Sequence, residues 1–328
     1  MKCYINMAAV HVAGALCLLA FFGLTQEAKT QTAEPKGGWT SKAPLLTARN
    51  EVVGVASNGK LYVLGGSLAR EKYDVAVNEE YDPASDRWRT RAPMPSGLNH
   101  LAAAVLDGKI YVAGGFTGNQ HRGADDSVFV YDIATDTWQR LPSLSSRRGS
   151  VSLAALGGKI YAVGGRTNQT DPVATHQVYD PATGKWSEAA PLPKARDHMA
   201  LVAVDGKLHA IGGRFGANED NTGLHDVYDP ATNAWTSAPP LPTPRSGGAG
   251  VLYRDLIVVL GGEADKDTYD ENEAYDPKTG KWLTLRPMPT GLHGFGAAVI
   301  GNGLYVATGA KGRGGRDVTN ELLVFSLP

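Results

Sequence analysis

Apolar residues along this chain fall in short runs that end at paired glycines. Lys109-Ile110-Tyr111-Val112-Ala113 runs into Gly114-Gly115, and the pattern returns at Gly65-Gly66, Gly164-Gly165, Gly212-Gly213 and Gly261-Gly262. Successive pairs lie 49, 50, 48 and 49 residues apart. A sixth copy, Tyr305-Val306-Ala307-Thr308-Gly309, keeps the phase but has lost one glycine. Short apolar runs bounded by turn residues predict β-strands, and a long fixed period predicts a repeat architecture.

A second mark follows each pair. It reads Tyr81-Asp82-Pro83, Tyr131-Asp132, Tyr179-Asp180-Pro181, Tyr228-Asp229-Pro230 and Tyr275-Asp276-Pro277. Six residues after each Asp, and seven after each Tyr, stands a tryptophan: Trp88, Trp138, Trp186, Trp235 and Trp282. The remaining tryptophan, Trp39, lies 49 residues before Trp88 with no glycine pair ahead of it. Each period predicts four strands. In the second they are strand a near His100–Leu106, b at Ile110–Ala113, c near Val128–Tyr131 and d around Thr137–Leu141. The Asp of each Tyr-Asp mark is expected to cap the N–H groups of the turn that follows, and Pro presets the next φ.

Four short strands per unit, with glycine and aromatic marks repeated, predict an all-β, six-bladed β-propeller of four antiparallel strands per blade. The marks resemble the kelch repeat, over residues 39 to 328, five copies in full and one degraded. The sixth unit supplies strands a to c, with Phe325 where Tyr would stand and no tryptophan after it. Its fourth strand is therefore expected from Gly38 to Ala43, so that the N-terminal strand closes the last blade.

Composition narrows the class. Of 328 residues, 42% are hydrophobic and 20% charged, which supports a packed core and excludes a disordered chain. Net charge is −1, so no broad basic field is available to hold nucleic acid or an anionic membrane. Both cysteines, Cys3 and Cys17, lie in a leading segment where Lys2 precedes an apolar run from Ala8 to Leu24. That segment reads as a signal peptide over 1–28, followed by a linker over 29–36 and a propeller domain over 37–328. A secreted or periplasmic monomer is expected, or a membrane-anchored one if the segment is retained.

Functional residues are expected on the face carrying the d–a connections and the variable b–c loops Phe116–Asp126, Arg166–His176 and Arg214–Leu224. In equivalent places the d–a connections carry Arg49, Leu98, Arg147, Arg196, Arg245 and Leu292. Next come Asn50, Asn99, Arg148, Asp197, Ser246 and His293, then Glu51, His100, Gly149, His198, Gly247 and Gly294. The recurrent arginines suit a structural role, tying loops to nearby carbonyls or carboxylates. Arg166 and Arg214 open adjacent blades and are candidates for a bidentate carboxylate clamp. Glu51, His100, His198 and Glu263 are acid or base candidates. Arg147, Arg148, Asn99, Asp197 and His293 complete the expected ligand-binding set.

No metal and no cofactor are expected. His100, His198 and His293 come from different blades without close ligand spacing. The resemblance also covers kelch copper oxidases that use a crosslinked cysteine, and no cysteine lies within the repeats. Neither a nucleophile elbow nor a phosphate-binding glycine loop occurs. The expected function is a binding scaffold for a small carbohydrate, peptide or protein at the loop face. The alternative is a sugar mutarotase, by resemblance to the exported N-acetylneuraminate epimerases, six-bladed kelch propellers. Such an enzyme needs a base at the anomeric hydroxyl, an acid at the ring oxygen and a cation for the sugar carboxylate.

Overall fold

The computed structural model describes residues 36–68, 74–118, 121–168, 170–217 and 220–328. The predicted signal peptide, and its linker up to residue 35, lie outside the described residues. The rest is built from six four-stranded antiparallel sheets. Blade 2 is typical, with strands a to d at Ala102–Leu106, Lys109–Ala113, Val128–Asp132 and Thr137–Leu141. Blades 1, 3, 4 and 5 begin at Val53–Ser57, Ser152–Leu156, Ala200–Val204 and Ala249–Tyr253. In blade 6, Gly296–Ile300, Gly303–Ala307 and Leu322–Ser326 are joined by Gly38–Lys42 as the outer strand. Gly38 pairs with Ser326 and Lys42 with Leu322, so the closure expected from Trp39 is present.

The sequence marks have distinct structural jobs. In the first five blades Tyr of strand c faces Trp of strand d across the ladder, as Tyr81 faces Trp88. The indole N–H of each Trp then reaches the preceding blade. Trp88 donates to Ala43 O at 2.8 Å, Trp138 to Ala92 O at 2.9 Å and Trp39 to Arg286 O at 3.2 Å. Trp186, Trp235 and Trp282 repeat the bond onto Pro142, Ala190 and Pro239. A tryptophan in every blade is thus a staple between neighbouring blades. The Asp residues cap their turns as expected, Asp82 accepting from Ala84 N and Asp276 from Lys278 N.

The innermost strands crowd together, which is why their residues are small. A methyl group at Gly54 would stand 2.8 Å from the backbone of Gly296 and Ala297, and one at Gly250 2.5 Å from Ala200 Cβ. The first glycine of each pair has a left-handed backbone, near φ 60–68° in five blades. Thr308 takes this position in blade 6 at φ 58°, a costly conformation for a β-branched residue. Its hydroxyl accepts from Arg49 N at 3.1 Å and lies within reach of the backbone carbonyls of Arg49 and Thr319, one of which takes its single hydrogen.

Candidate functional site

Six d–a connections meet around the axis, and their backbones form a closed ring. The N–H of His100 donates to Glu51 O at 3.1 Å, Ser150 to His100 O at 2.8 Å and His198 to Ser150 O at 3.3 Å. Gly247 donates to His198 O at 3.1 Å and Gly294 to Gly247 O at 3.0 Å, and Val52 N closes the circle on Gly294 O at 3.3 Å. All six ring residues have positive φ, including the non-glycines Glu51, His100, Ser150 and His198 at 49–55°. Left-handed non-glycine residues cost roughly 1–2 kcal/mol each. Four of them on one ring mark a place where side-chain identity outweighs backbone comfort.

This ring corrects the alignment made from the sequence in the third connection. Ser150, not Gly149, is the equivalent of Glu51 and His100. Arg148, not Arg147, is the equivalent of Arg49, Arg196 and Arg245. Arg147 lies on the outside with its side chain 76% exposed, 3.9 Å from Asp126. Arg148 is fully buried and bonds Gln177 Oε1 at 3.1 Å, so it is a structural spoke and not part of a ligand surface. Arg49 bonds Glu79 at 2.8 Å with the carbonyls of Gly65 and Val63, and Arg196 bonds Asp226 at 2.9 Å with those of Gly212 and Ala210. Arg245 repeats the pattern with Glu273. The two connections with leucine instead, Leu98 and Leu292, meet apolar partners: Phe129 shares the core of Leu98, and Leu323 that of Leu292. Arg49, Arg148, Arg196 and Arg245 therefore hold the blades, the structural role expected of Arg49, Arg147, Arg196 and Arg245, with Arg148 in place of the exposed Arg147.

The non-repeated polar residues converge above the ring. His100 Nε2 is 3.1 Å from Glu51 Oε2, and the other oxygen of Glu51 is 3.4 Å from His293 Nδ1, so one carboxylate bridges two imidazoles. His198 Nε2 lies 3.1 Å from Ser150 Oγ, 3.1 Å from Arg214 Nη2 and 3.3 Å from His121 Nε2. Arg214 also bonds Asp197 Oδ1 at 3.3 Å and Glu263 Oε2 at 3.2 Å. Arg166 and Arg214 do converge on one carboxylate, but it is the protein's own Asp197, with Arg166 Nη1 at 3.6 Å. Glu263 is further fixed by the N–H of Gly314 at 2.8 Å.

His121 is the participant that sequence reasoning missed. It stands in the turn of a hairpin formed by Phe116–Gly118 and Arg122–Ala124 in the b–c loop of blade 2. The expected trio of His100, His198 and His293 is corrected accordingly. His100 and His198 do meet, but their third partner is His121, and His293 stands apart with Glu51. Beside His121 opens a cleft of about 400 Å³ lined by His121, Arg122, Gly123, Thr167, Asn168 and Thr170.

Burial and mutual charge set the protonation of the cluster. Burial alone would raise Glu51, but the imidazoles of His100, His293 and His121 hold it far below the usual carboxylate range. Burial, with the charge of Arg214, keeps His198 well below its ordinary value, and burial with His100 and Arg214 pushes His121 down to about 2. His293 goes the other way: burial lowers it, but the hydrogen bond and charge of Glu51 prevail and raise it. Burial lifts Asp197 to about 6 against the opposing charges of Arg214 and Arg166. The mouth thus sets neutral imidazoles, an imidazole favoured as the cation and a carboxylate within a few ångströms of one another.

A family profile described as the KLHDC2/KLHL20/DRC7 Kelch-repeats domain matches residues 31–192 and 145–309. No curated protein matches the sequence. Among solved structures, the one titled "Structure of YjhT" superposes with a TM-score of 0.73 at 19% identity, covering 85% of this chain and 95% of that one. At that identity the likeness speaks to the fold. Glycine pairs, inter-blade tryptophans, six four-stranded blades and the matched profile agree: this chain belongs to the kelch-repeat family of β-propellers.

Proposed function

We propose that this propeller binds a small polyhydroxylated molecule, a sugar or sugar acid, at the axial mouth of its loop face. The observation that carries the reading is the convergence of Glu51, His100, His121, His198, Arg214 and Glu263 from four blades at separations of 3.1–3.4 Å, next to an open cleft. A cleft of about 400 Å³ suits a monosaccharide rather than a folded partner. Its lining of Thr167, Asn168 and Thr170 supplies hydroxyl and amide groups that match sugar hydroxyls, and Arg122 supplies a cation at its edge. Titration calorimetry with neutral monosaccharides and sugar acids tests the reading. One site per chain is expected, weakened at least about tenfold in a Thr167→Val/Asn168→Leu variant, as lost hydrogen bonds to a ligand predict. Absence of binding across the panel would remove it.

A second reading rests on the pair of groups bridged by Glu51. A carboxylate between the imidazoles of His100 and His293, at the mouth to which Arg214 also contributes, provides the acid, base and cation that mutarotation of a sugar acid requires. The comparison is with the N-acetylneuraminate epimerases named above. Proton exchange NMR between the anomers of sialic acid would be accelerated by the protein and slowed at least about a hundredfold by Glu51→Gln. Binding without acceleration would leave the scaffold reading alone.

A further inference from the structure

The hydrogen bonds of His100 and His198 define where their lone pairs point. Asn99 Nδ2 donates to Asp74 Oδ1 at 2.8 Å and to Phe116 O at 3.2 Å, which turns its Oδ1 onto His100 Nδ1. His198 Nδ1 meets Asp197 Oδ1 in the same way. Both rings therefore carry hydrogen on Nδ1, and in the neutral form both present the lone pair of Nε2 to the centre. His121 Nε2, 3.4 Å from an Arg214 N–H, faces the same point. The amide oxygen behind His100 and the carboxylate behind His198 are the outer-shell arrangement that orients histidine for metal binding.

Distances agree with that use. His121 and His198 Nε2 are 3.3 Å apart, and the ligand atoms of His100, His121 and His198 all fall within 4.8 Å of one another. Two nitrogens on one tetrahedral zinc ion are separated by about 3.3 Å, given bonds of about 2.0–2.1 Å. Glu51 Oε2 stands 3.1 Å from His100 Nε2. With a lone pair on that nitrogen, the two atoms repel each other unless a proton or a metal ion lies between them.

We propose that His100, His121 and His198 bind a divalent first-row transition-metal ion, with Glu51 as the fourth ligand. Three imidazoles and a carboxylate suit zinc, cobalt or nickel. The Nη2 of Arg214 occupies the edge of this centre, and as the ion enters the guanidinium retreats toward Asp197 and Glu263, which its Nε and Nη1 already bond. Its charge opposes the ion, and the carboxylates of Glu51, Asp197 and Glu263 offset it. The site is independent of which organic molecule the mouth accepts, so it is measured without one.

The test uses the tag-free full chain, stripped with chelator and titrated with Zn²⁺ and Co²⁺. One equivalent of each binds with micromolar or tighter affinity, and Co²⁺ develops the visible absorption of a low-coordinate nitrogen site. His121→Ala, in a surface hairpin, weakens binding at least about tenfold. His209→Gln, inside a blade, leaves it unchanged. No stoichiometric binding by the wild type, or equal binding by His121→Ala, overturns the proposal.

Discussion

Single side chains in this propeller do work that their type alone does not announce. His176, His209 and His225 are buried in the blades, at 1%, 6% and 2% exposure, and burial pushes each down to about 4. Each is neutral in the folded protein and charges in the unfolded chain below its ordinary 6.5. Between those limits the unfolded state binds more protons, so stability falls as pH drops from 6.5 toward 4, by roughly 1.4 kcal/mol per histidine and pH unit. Urea unfolding at pH 7 and pH 5 checks this most cleanly as a difference between the wild type and His176→Gln. The wild type is expected to lose about 2 kcal/mol more than the variant over that interval. A constant difference would mean that His176 does not titrate as described.

Between residue and blade lies the pairing of each d–a spoke with strand c. Arg196 with Asp226 is charged, whereas Leu292 with Leu323 does the same positional work with apolar groups. Arg196→Leu alone strands Asp226 in the core and is expected to cost about 3–5 kcal/mol. The double variant Arg196→Leu/Asp226→Leu copies the blade 6 solution and is expected to recover most of that loss. Chemical denaturation of the single and double variants measures the coupling, and equal loss in both would contradict the account. Much at this scale was legible in the sequence. The glycine pairs, the Tyr–Trp spacing and the four strands of blade 2 appear where they were expected, within two residues. The slip at Arg147 came from the two adjacent arginines, in a connection no longer than its neighbours: Trp138 precedes Arg148 by ten residues, as Trp186 precedes Arg196. Counting back from the following glycine would have avoided it, because Arg49 precedes Gly65 by 16 residues and Arg196 precedes Gly212 by 16. Arg148 keeps this interval to Gly164, and Arg147 does not. His121 had no such signal. Its hairpin has a counterpart in blade 6, Ala310–Gly312 with Arg316–Val318, but Gly315 stands there in the equivalent place, so the repeat does not mark the histidine and only the fold of the hairpin carries it to the axis.

For the whole molecule, closure and the mouth are one construction. The strand Gly38–Lys42 completes blade 6 and its Trp39 staples that blade to Arg286, so the ring of six backbone bonds beneath the mouth depends on the N-terminal strand. Deleting 37–43 removes five ladder pairs and exposes Phe325 and Leu323, and a lower, broader thermal transition is expected by calorimetry. Unchanged cooperative unfolding would contradict the closure. The ligand reading also belongs to this scale, because the mouth is assembled from the connections of all six blades. The described histidines divide conveniently: His100, His121, His198 and His293 stand at the mouth, and His176, His209 and His225 in the blades. Selective ¹⁵N-histidine labelling therefore reads the site directly. Addition of the sugar or sugar acid that binds in calorimetry is expected to shift the ring nitrogens of the mouth histidines and leave the blade histidines in place. Shifts confined to the blade histidines, or no shift at saturating ligand, would contradict a binding site at the mouth.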